Sequence, residues 1–232
     1  MNYNKSLIIA HLKKFGLKSV NNINYMQWAY NELYKEKITK TKIDNLFFLL
    51  KKMSNATYKE KKAFYSYISA YKVFINVVHS IKFEAIANSG VSVINDKNNY
   101  NHILDFGCNV GYLSSFYAKY YKKSYIIGFD NCNAAIKRAT SFYKKIDNLS
   151  FIFSYEKLSD NFYDLIIDTQ CLATINNKYV LRLALKNLYK KSIKDVKLIS
   201  ISPFNNFLEM EQFINEMVGH NFYVSKLSPI FF

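Results

Sequence analysis

Short apolar runs alternate with longer amphipathic segments from residue 102 onward, and this alternation strongly limits how the chain can fold. It is typical of a parallel sheet whose strands are joined by covering helices. The predicted strands are HILDF (102–106), SYIIGFD (124–130), LSFIF (149–153), YDLIID (163–168) and VKLISIS (196–202), with one more strand or an edge hairpin in NFYVSKL and PIFF. The predicted helices lie near 112–122, 132–145, 177–191 and 207–219.

The first ninety residues show no strand-like alternation and carry apolar residues at helical spacing. These stripes are Leu46, Leu49, Leu50 and Met53, then Phe64, Ile68, Tyr71, Ile75 and Val78. Gly90 and a polar cluster within 88–99 break the pattern. We therefore predict a helical lid or cap over 1–90 and a sheet-containing domain over 91–232. A thicker core or a homodimer face are the alternative roles for the helices.

The formal net charge of +15 would normally favour nucleic acid or an anionic membrane surface as a partner. Nearly all of this charge is lysine, however, and Arg138 and Arg182 are the only arginines. The chain is equally rich in Asn, Ile, Tyr and Phe, which AT-rich genomes encode by default. We interpret the charge as a solvated lysine surface, with a nucleic-acid face as the alternative.

Three cysteines without a CxxC pair predict neither a zinc site nor a disulfide framework, and favour reduced thiols in a cytoplasm. The N-terminal apolar run is too short for a signal peptide. No segment reaches eighteen uncharged apolar residues. The sequence predicts a soluble, unprocessed cytoplasmic protein without a membrane partner.

The turn after the first predicted strand is where a parallel sheet of this kind would bind a ligand. Gly107 can make a tight turn close to a ligand, and Gly111 lets the next helix pack closely. Asp105 can orient the loop or an ammonium group. A dinucleotide site would need glycine where Asn109 stands, and its phosphates would meet the charge of Asp105.

The second predicted strand ends in Asp130, nineteen residues after Gly111. A carboxylate at this position can accept both hydroxyl groups of an adenosine ribose. The joint pattern of strand, glycine turn, helix, strand and acid therefore predicts a nucleoside ligand without a pyrophosphate.

ILDFGCNVGYLS resembles the first motif of the class I S-adenosylmethionine-dependent methyltransferases, and IIGFDNC resembles their second. The similarity extends over about 100 to 232. It implies a Rossmann-like α/β fold with a mainly parallel, seven-stranded-type sheet, helices on both faces and an N-terminal helical lid. It also implies S-adenosyl-L-methionine as cofactor and S-adenosyl-L-homocysteine as product. The first-motif residues implied to contact the methionine end of the cofactor are Asp105, Gly107, Cys108, Asn109, Gly111 and Tyr112.

By the same resemblance Asp130 holds the ribose, while Asn131 and Cys132 lie under the adenine. Ser154, Tyr155 and Glu156 occupy the region of the third motif, near the adenine amino group. YDLIIDTQCL resembles the fourth motif, which places Asp168, Thr169 and Gln170 beside the transferred methyl group. The sequence departs from the family at Asn109, which replaces a glycine and must adopt an unusual backbone angle or shift the loop. Little chain also follows NFYVSKL for the usual final hairpin.

Methyl transfer from a sulfonium needs positioning and water exclusion, with a base where the acceptor carries a proton. Asp168 and His79 are the predicted catalytic residues, and His11 and His220 are weaker candidates. No metal is predicted, because Asn205 and Asn206 follow VKLISIS without an acid. Aromatic residues of the helical segment could stack on an aromatic acceptor or belong to the core; they include Tyr65, Tyr67 and Tyr71.

IDTQCL lacks the Asn- or Asp-Pro-Pro-aromatic sequence usual in family members that methylate base nitrogens of nucleic acids. We therefore predict a small-molecule acceptor, such as the phenolic oxygen or amine nitrogen of a biosynthetic intermediate. RNA methylation is the alternative because of the basic surface. A non-catalytic scaffold that keeps the cofactor fold is a third hypothesis.

Overall fold

A computed structural model describes residues 3–20, 24–53, 56–69, 71–95, 98–169, 171–172, 175, 177–201, 203–204, 207–219 and 230–231. Its first part is helical, as the sequence predicts. The helices are α1 (Tyr3–Lys14), α2 (Tyr25–Lys35), α3 (Lys40–Lys52), α4 (Tyr58–Ser69), α5 (Lys72–Ile81) and α6 (Phe83–Ile94). Among the described residues, no helix combines the length and apolar character needed to cross a membrane.

Helix α6 ends at Ile94, inside the predicted break at 88–99, but the role predicted for Gly90 is wrong because the helix continues through this residue. A Cβ atom at Gly90 would lie 2.8 Å from Cδ1 of Ile8 on α1. The glycine therefore lets two helices approach closely instead of ending one of them.

The remainder alternates strands with helices. In chain order it contains β1 (His102–Phe106), α7 (Tyr112–Tyr120), β2 (Tyr125–Phe129), α8 (Asn133–Tyr143), β3 (Leu149–Ile152), a 3-10 turn (Tyr155–Lys157), β4 (Tyr163–Thr169), α9 (Lys178–Lys191), β5 (Ser192–Ile201), β6 (Pro203–Phe204), α10 (Phe207–Gly219) and β7 (Ile230–Phe231). The main sheet has the order β3-β2-β1-β4-β5, and all its neighbouring strands are parallel. The strand order reverses beside β1, where a crevice opens at the carboxyl ends of the strands.

The predicted seven-stranded sheet is wrong in its strand count, since the main sheet has five strands in the part of the chain that the structure describes. Among the described residues, β6 and β7 pair with each other and with no strand of the main sheet. The predicted strand at 221–227 lies outside the described residues.

Helices cover both faces of the sheet, and strand residues alternate between the two cores. Ile103, Ile126 and Ile167 are buried in the same cluster as residues of α1 to α8. Leu104, Ile127 and Ile166 are buried on the other face against α9 and α10. The N-terminal helices therefore share one hydrophobic core with one face of the sheet.

Candidate functional site

A cleft of about 650 Å³ lies across the carboxyl ends of the strands. Its floor is formed by the turns after β1, β2, β3 and β4. Helices α4, α5 and α6 form one wall, and α9 forms the other. The volume falls within the range of about 300–1,000 Å³ that is usual for small-molecule sites.

The turn after β1 has left-handed backbone angles at three positions: Gly107 (φ 80°), Asn109 (φ 50°) and Gly111 (φ 77°). Asn109 tolerates this conformation because its own Oδ1 accepts a hydrogen bond from Val110 N at 2.8 Å. The missing family glycine is thus replaced by an asparagine that stabilises the same turn.

Both glycines of the turn are also required by packing. A Cβ atom at Gly107 would lie 2.4 Å from Cβ of Cys171, and one at Gly111 would lie 2.6 Å from the ring of Phe151. The backbone N–H groups of Gly107 and Cys108 donate to the Phe129 carbonyl at 2.8 and 2.9 Å. The turn is therefore fixed against the end of β2 and against the segment after β4.

Asp130 links the turns after β1 and β2. Its Oδ2 accepts from Asn109 N at 2.9 Å, and its Oδ1 accepts from Cys132 N at 2.8 Å. Burial raises the pKa of this carboxyl group, and the two N–H donors oppose that shift. A carboxylate has about four lone-pair positions, so two such bonds leave acceptor capacity on the side that lines the cleft.

Asp105 lies at the end of β1 and is only 2 % exposed, although it also lines the cleft. Its Oδ2 accepts a hydrogen bond from the hydroxyl of Ser114. Burial raises its pKa to about 7, and the charges of Asp168 and Asp130 act in the same direction. A cation bound beside Asp105 would favour its ionised form.

Asp168 is fully buried, and the structure does not bring it to the cleft. Its Oδ1 accepts from Cys171 N and Leu172 N, both at 2.9 Å, and its Oδ2 accepts from the Ser200 hydroxyl at 2.6 Å. This carboxylate shapes the segment after β4.

Two other predicted contacts also lie away from the cleft lining. Gly111 packs against Phe151, and Cys132 places its Sγ 3.7 Å from Oγ of Ser66 on α4. The structure does bring most predicted site residues together in the cleft: Asp105, Gly107, Cys108, Asn109, Tyr112, Asp130, Asn131, Tyr155, Glu156, Thr169 and His79. Gln170 and His220 lie outside the described residues, as do Asn205 and Asn206.

His79 lies on α5 beside Tyr112, with 5.3 Å between the ring centroids. Its Nδ1 is buried and has no hydrogen-bond partner among the described residues. Burial, followed by the charge of Lys82, lowers its pKa to about 3, so the imidazole is neutral near pH 7. A neutral ring nitrogen in the cleft can accept a hydrogen bond from a ligand.

His11 has a structural environment instead. Its Nε2 lies 3.0 Å from the Tyr112 carbonyl oxygen and 3.1 Å from Oγ of Ser115, and the residue does not line the cleft. Burial lowers its pKa to about 4. His11 therefore ties α1 to the start of α7.

Sequence reasoning missed most of both walls. The wall on the helical side includes Lys61, Lys62, Val78, Lys82 and Ile86, and the α9 wall consists of Val180, Leu183, Ala184 and Asn187. The α9 residues follow helical spacing, which by itself indicates a core-facing stripe. Tyr65 lines the cleft, whereas Tyr67 and Tyr71 pack around Phe74.

A family model described as a methyltransferase domain matches residues 97–228, which is more than half of the chain. No curated protein sequence matches the chain.

Solved structures with similar folds include three proteins of low sequence identity. A SAM-dependent methyltransferase from Aquifex aeolicus is 18% identical over 47% of this chain and 61% of its own, with a TM-score of 0.42. YcgJ from Bacillus subtilis is 20% identical over 55% and 56%, with a TM-score of 0.42. The N-methyltransferase NodS from Bradyrhizobium japonicum WM9 is 18% identical over 59% and 71%, with a TM-score of 0.47. The chain thus spans about three fifths of the length of the first two.

Proposed function

Because the chain belongs to the methyltransferase-domain family, we propose that it transfers a methyl group from S-adenosylmethionine to a small-molecule acceptor. The acceptor atom in this proposal is a phenolic oxygen or an amine nitrogen. Residues 1–90 act as the lid over the strand ends, and residues 91–232 form the domain that binds the cofactor.

The observation that carries the proposal is the donor and acceptor set around Asp130. This carboxylate lines the cleft, keeps acceptor capacity after its two backbone bonds, and lies beside the turn of Gly107 to Tyr112. Vicinal ribose hydroxyls match a carboxylate with two spare positions. Tyr155, whose buried hydroxyl has no partner among the described residues, also lines the cleft.

S-adenosylmethionine, when bound, supplies an electrophilic methyl group: the electrons of the broken C–S bond stay on sulfur, the acceptor atom bonds to the methyl carbon, and the proton of the acceptor's O–H or N–H group is released to solvent. In this proposal Asp130 holds the ribose, and Asp105 lies where its ionised carboxylate can attract the ammonium group. The fixed turn after β1 presents backbone atoms that need no reorganisation on binding. The apolar side chains of Val78, Leu113 and Phe129 exclude water from the cleft.

In this proposal the acceptor's O–H or N–H group donates a hydrogen bond to Nδ1 of His79, which is buried beside the cleft and unpartnered among the described residues. This hydrogen bond orients the acceptor. The low pKa of His79 keeps the imidazole neutral, and in the tautomer that carries its proton on Nε2 the Nδ1 atom is an acceptor. The low pKa also makes the imidazole a weak base. The role is therefore one of positioning the nucleophile. Asp168 contributes indirectly, through the turn that it holds after β4.

RNA is the second candidate acceptor because three lysines line the helical wall and the net charge is +15. Against it, Arg182 forms a bidentate pair with Glu216, at 2.7 and 2.9 Å, and is therefore not free to read phosphates or bases.

The function is tested by measuring the melting temperature of the full chain with S-adenosylhomocysteine and, as a control, with NAD. A ligand at 100 times its Kd stabilises a protein by about 2.7 kcal/mol. We expect a rise with S-adenosylhomocysteine and none with NAD, since Asn109 and Asp105 disfavour a pyrophosphate. No rise with saturating S-adenosylhomocysteine would favour the scaffold hypothesis. Copurified nucleic acid with steep salt dependence would favour RNA.

A further inference from the structure

The helical wall of the cleft carries three lysines. Lys61 and Lys62 lie on α4, and Lys82 lies at the junction of α5 and α6. Lys61 and Lys82 are half-buried, and Lys62 is exposed. The wall therefore presents positive charge to a ligand at a depth where solvent screens it only in part.

The nearby acids do not neutralise Lys62 and Lys82. Lys62 and Lys82 have no carboxylate within 4 Å among the described residues, in contrast to several other lysines of the chain. Glu84, two residues after Lys82, pairs with Lys5 at 3.0 Å and also accepts from the Ser19 hydroxyl. Positive charge is thus left at the cleft while the adjacent carboxylate faces another helix.

The lysines also disfavour one another's charge. Burial lowers the pKa of Lys61, and the charge of Lys82 lowers it further. The same charge acts on His79, which also lines the cleft. An anion placed beside Lys61 and Lys82 would offset this repulsion, so the empty wall is electrostatically complementary to a negative group.

The opposite wall is apolar. Val180, Leu183 and Ala184 of α9 line the cleft, and Val180 and Leu183 are 37 % and 48 % exposed. Exposed apolar side chains at the rim of a cleft are typical of a surface that a ligand covers. The two walls together match a molecule with an apolar body and a charged end.

We infer that the methyl acceptor is a small molecule that carries a carboxylate or phosphate on an apolar body, with Lys61 and Lys82 holding the anionic group and α9 contacting the body. This inference rests on the proposed function. The anion belongs to the acceptor and not to the cofactor, and the experiment separates these two sources.

The test measures binding to the full chain by calorimetry, with and without saturating S-adenosylhomocysteine. The probes are benzoate and phenyl phosphate, and uncharged benzamide is the control. We expect both anions to bind more tightly than benzamide, and Lys82→Gln to weaken their binding about 10- to 100-fold, as for the loss of a charged hydrogen bond. Lys82→Arg should restore binding. Lys59→Gln, an exposed α4 lysine outside the cleft, should have no effect.

Three results would overturn the inference. The first is benzoate and phenyl phosphate binding no more tightly than benzamide while S-adenosylhomocysteine still binds. The second is a comparable loss of S-adenosylhomocysteine affinity in Lys82→Gln, which would assign the lysines to the cofactor's own carboxylate. The third is a single-stranded RNA oligonucleotide that outcompetes both anions. Failure of the proposed function is distinguishable, because the unmodified chain would then bind no S-adenosylhomocysteine.

Discussion

Replacing Asp130 with alanine is the sharpest test of how the cleft holds a nucleoside. The substitution removes the acceptor for Asn109 N and Cys132 N and, in our proposal, the acceptor for two ribose hydroxyls. Loss of the two backbone hydrogen bonds affects folding, whereas loss of the two ribose hydrogen bonds affects binding.

The binding loss follows from the number of hydrogen bonds. A hydrogen bond to a charged group contributes about 1.5–3 kcal/mol, so two ribose bonds contribute about 3–6 kcal/mol. The Kd for S-adenosylhomocysteine should therefore rise about 10²- to 10⁴-fold in Asp130→Ala. Asp130→Asn keeps one acceptor oxygen and should show an intermediate loss.

Asp164 provides a matched control at the amino-terminal ends of the strands, opposite the cleft. Its carboxylate also accepts from two backbone N–H groups, Asn101 N at 2.6 Å and His102 N at 3.0 Å, but it does not line the cleft. Asp164→Ala should lower the free energy of unfolding and leave the Kd unchanged. Calorimetry measures the Kd, and urea denaturation shows that each variant is folded.

One result would refute the reasoning: a folded Asp130→Ala variant whose Kd for S-adenosylhomocysteine is within about twofold of that of the unmodified chain. Such a difference is about 0.4 kcal/mol. The spare acceptor positions of Asp130 would then have no role in holding a ribose.

Further predictions concern pH, packing and the loop after β1. In the folded state the pKa of Asp105 is about 7, which is above its value in the unfolded chain. Between pH 5 and pH 8 the folded state therefore binds more protons than the unfolded state, and the free energy of unfolding falls as the pH rises. Urea denaturation of Asp105→Asn should lack this loss, which is about 2–3 kcal/mol of the free energy of unfolding. The same pH dependence in Asp105→Asn and in the unmodified chain would contradict the prediction. His11 has a folded pKa of about 4, below its ordinary value of 6.5, so its effect on stability is opposite. The free energy of unfolding falls as the pH falls from 6.5 towards 4, and His11→Gln should remove about 2 kcal/mol of the loss between pH 7 and pH 5. Gly111→Ala places a Cβ atom 2.6 Å from the Phe151 ring at a residue with φ 77°. It should lower the free energy of unfolding by at least about 1–3 kcal/mol, and the melting temperature with it. Gly219→Ala is the control and should lower the melting temperature far less, because nothing lies within 4 Å of its Cβ position.

Much of the sheet follows from local sequence. HILDF forms β1 over the predicted residues because the run is apolar and is ended by Gly107. The other strands of the main sheet begin and end within about four residues of the predicted bounds. The largest difference is at β5, which begins at Ser192 instead of at residue 196. Periodicity of two and helical periodicity are properties of neighbouring residues, so a sequence carries them directly.

The lining of the cleft was predictable from sequence where the chain is locally constrained. The turn of Gly107 to Tyr112 and the acid at the end of β2 lie next to strand ends, and the topology brings strand ends together. The direction of a side chain was not predictable in the same way. Asp168 also ends a strand, yet its carboxylate turns towards Cys171 N and Leu172 N.

The walls of the cleft depend on contacts between distant segments. Lys61 and Lys82 are unremarkable in a chain with so many lysines, and only the packing of α4, α5 and α6 places them together. Val180 and Leu183 have the spacing of buried residues, and their exposure at the cleft is a property of the tertiary structure. No pattern in the local sequence could have identified them.

The core shared by the first six helices and the sheet limits how the cleft can open. Ile8 on α1 packs against Gly90 on α6, and Ile8 is buried in the cluster that contains Ile103 and Ile126 of the sheet. Swinging these helices away as a rigid flap would expose that entire apolar layer to water. Ligand exchange would then be confined to small adjustments at the mouth between α4 and α9, and a fragment lacking the N-terminal helices would tend to aggregate through the uncovered face.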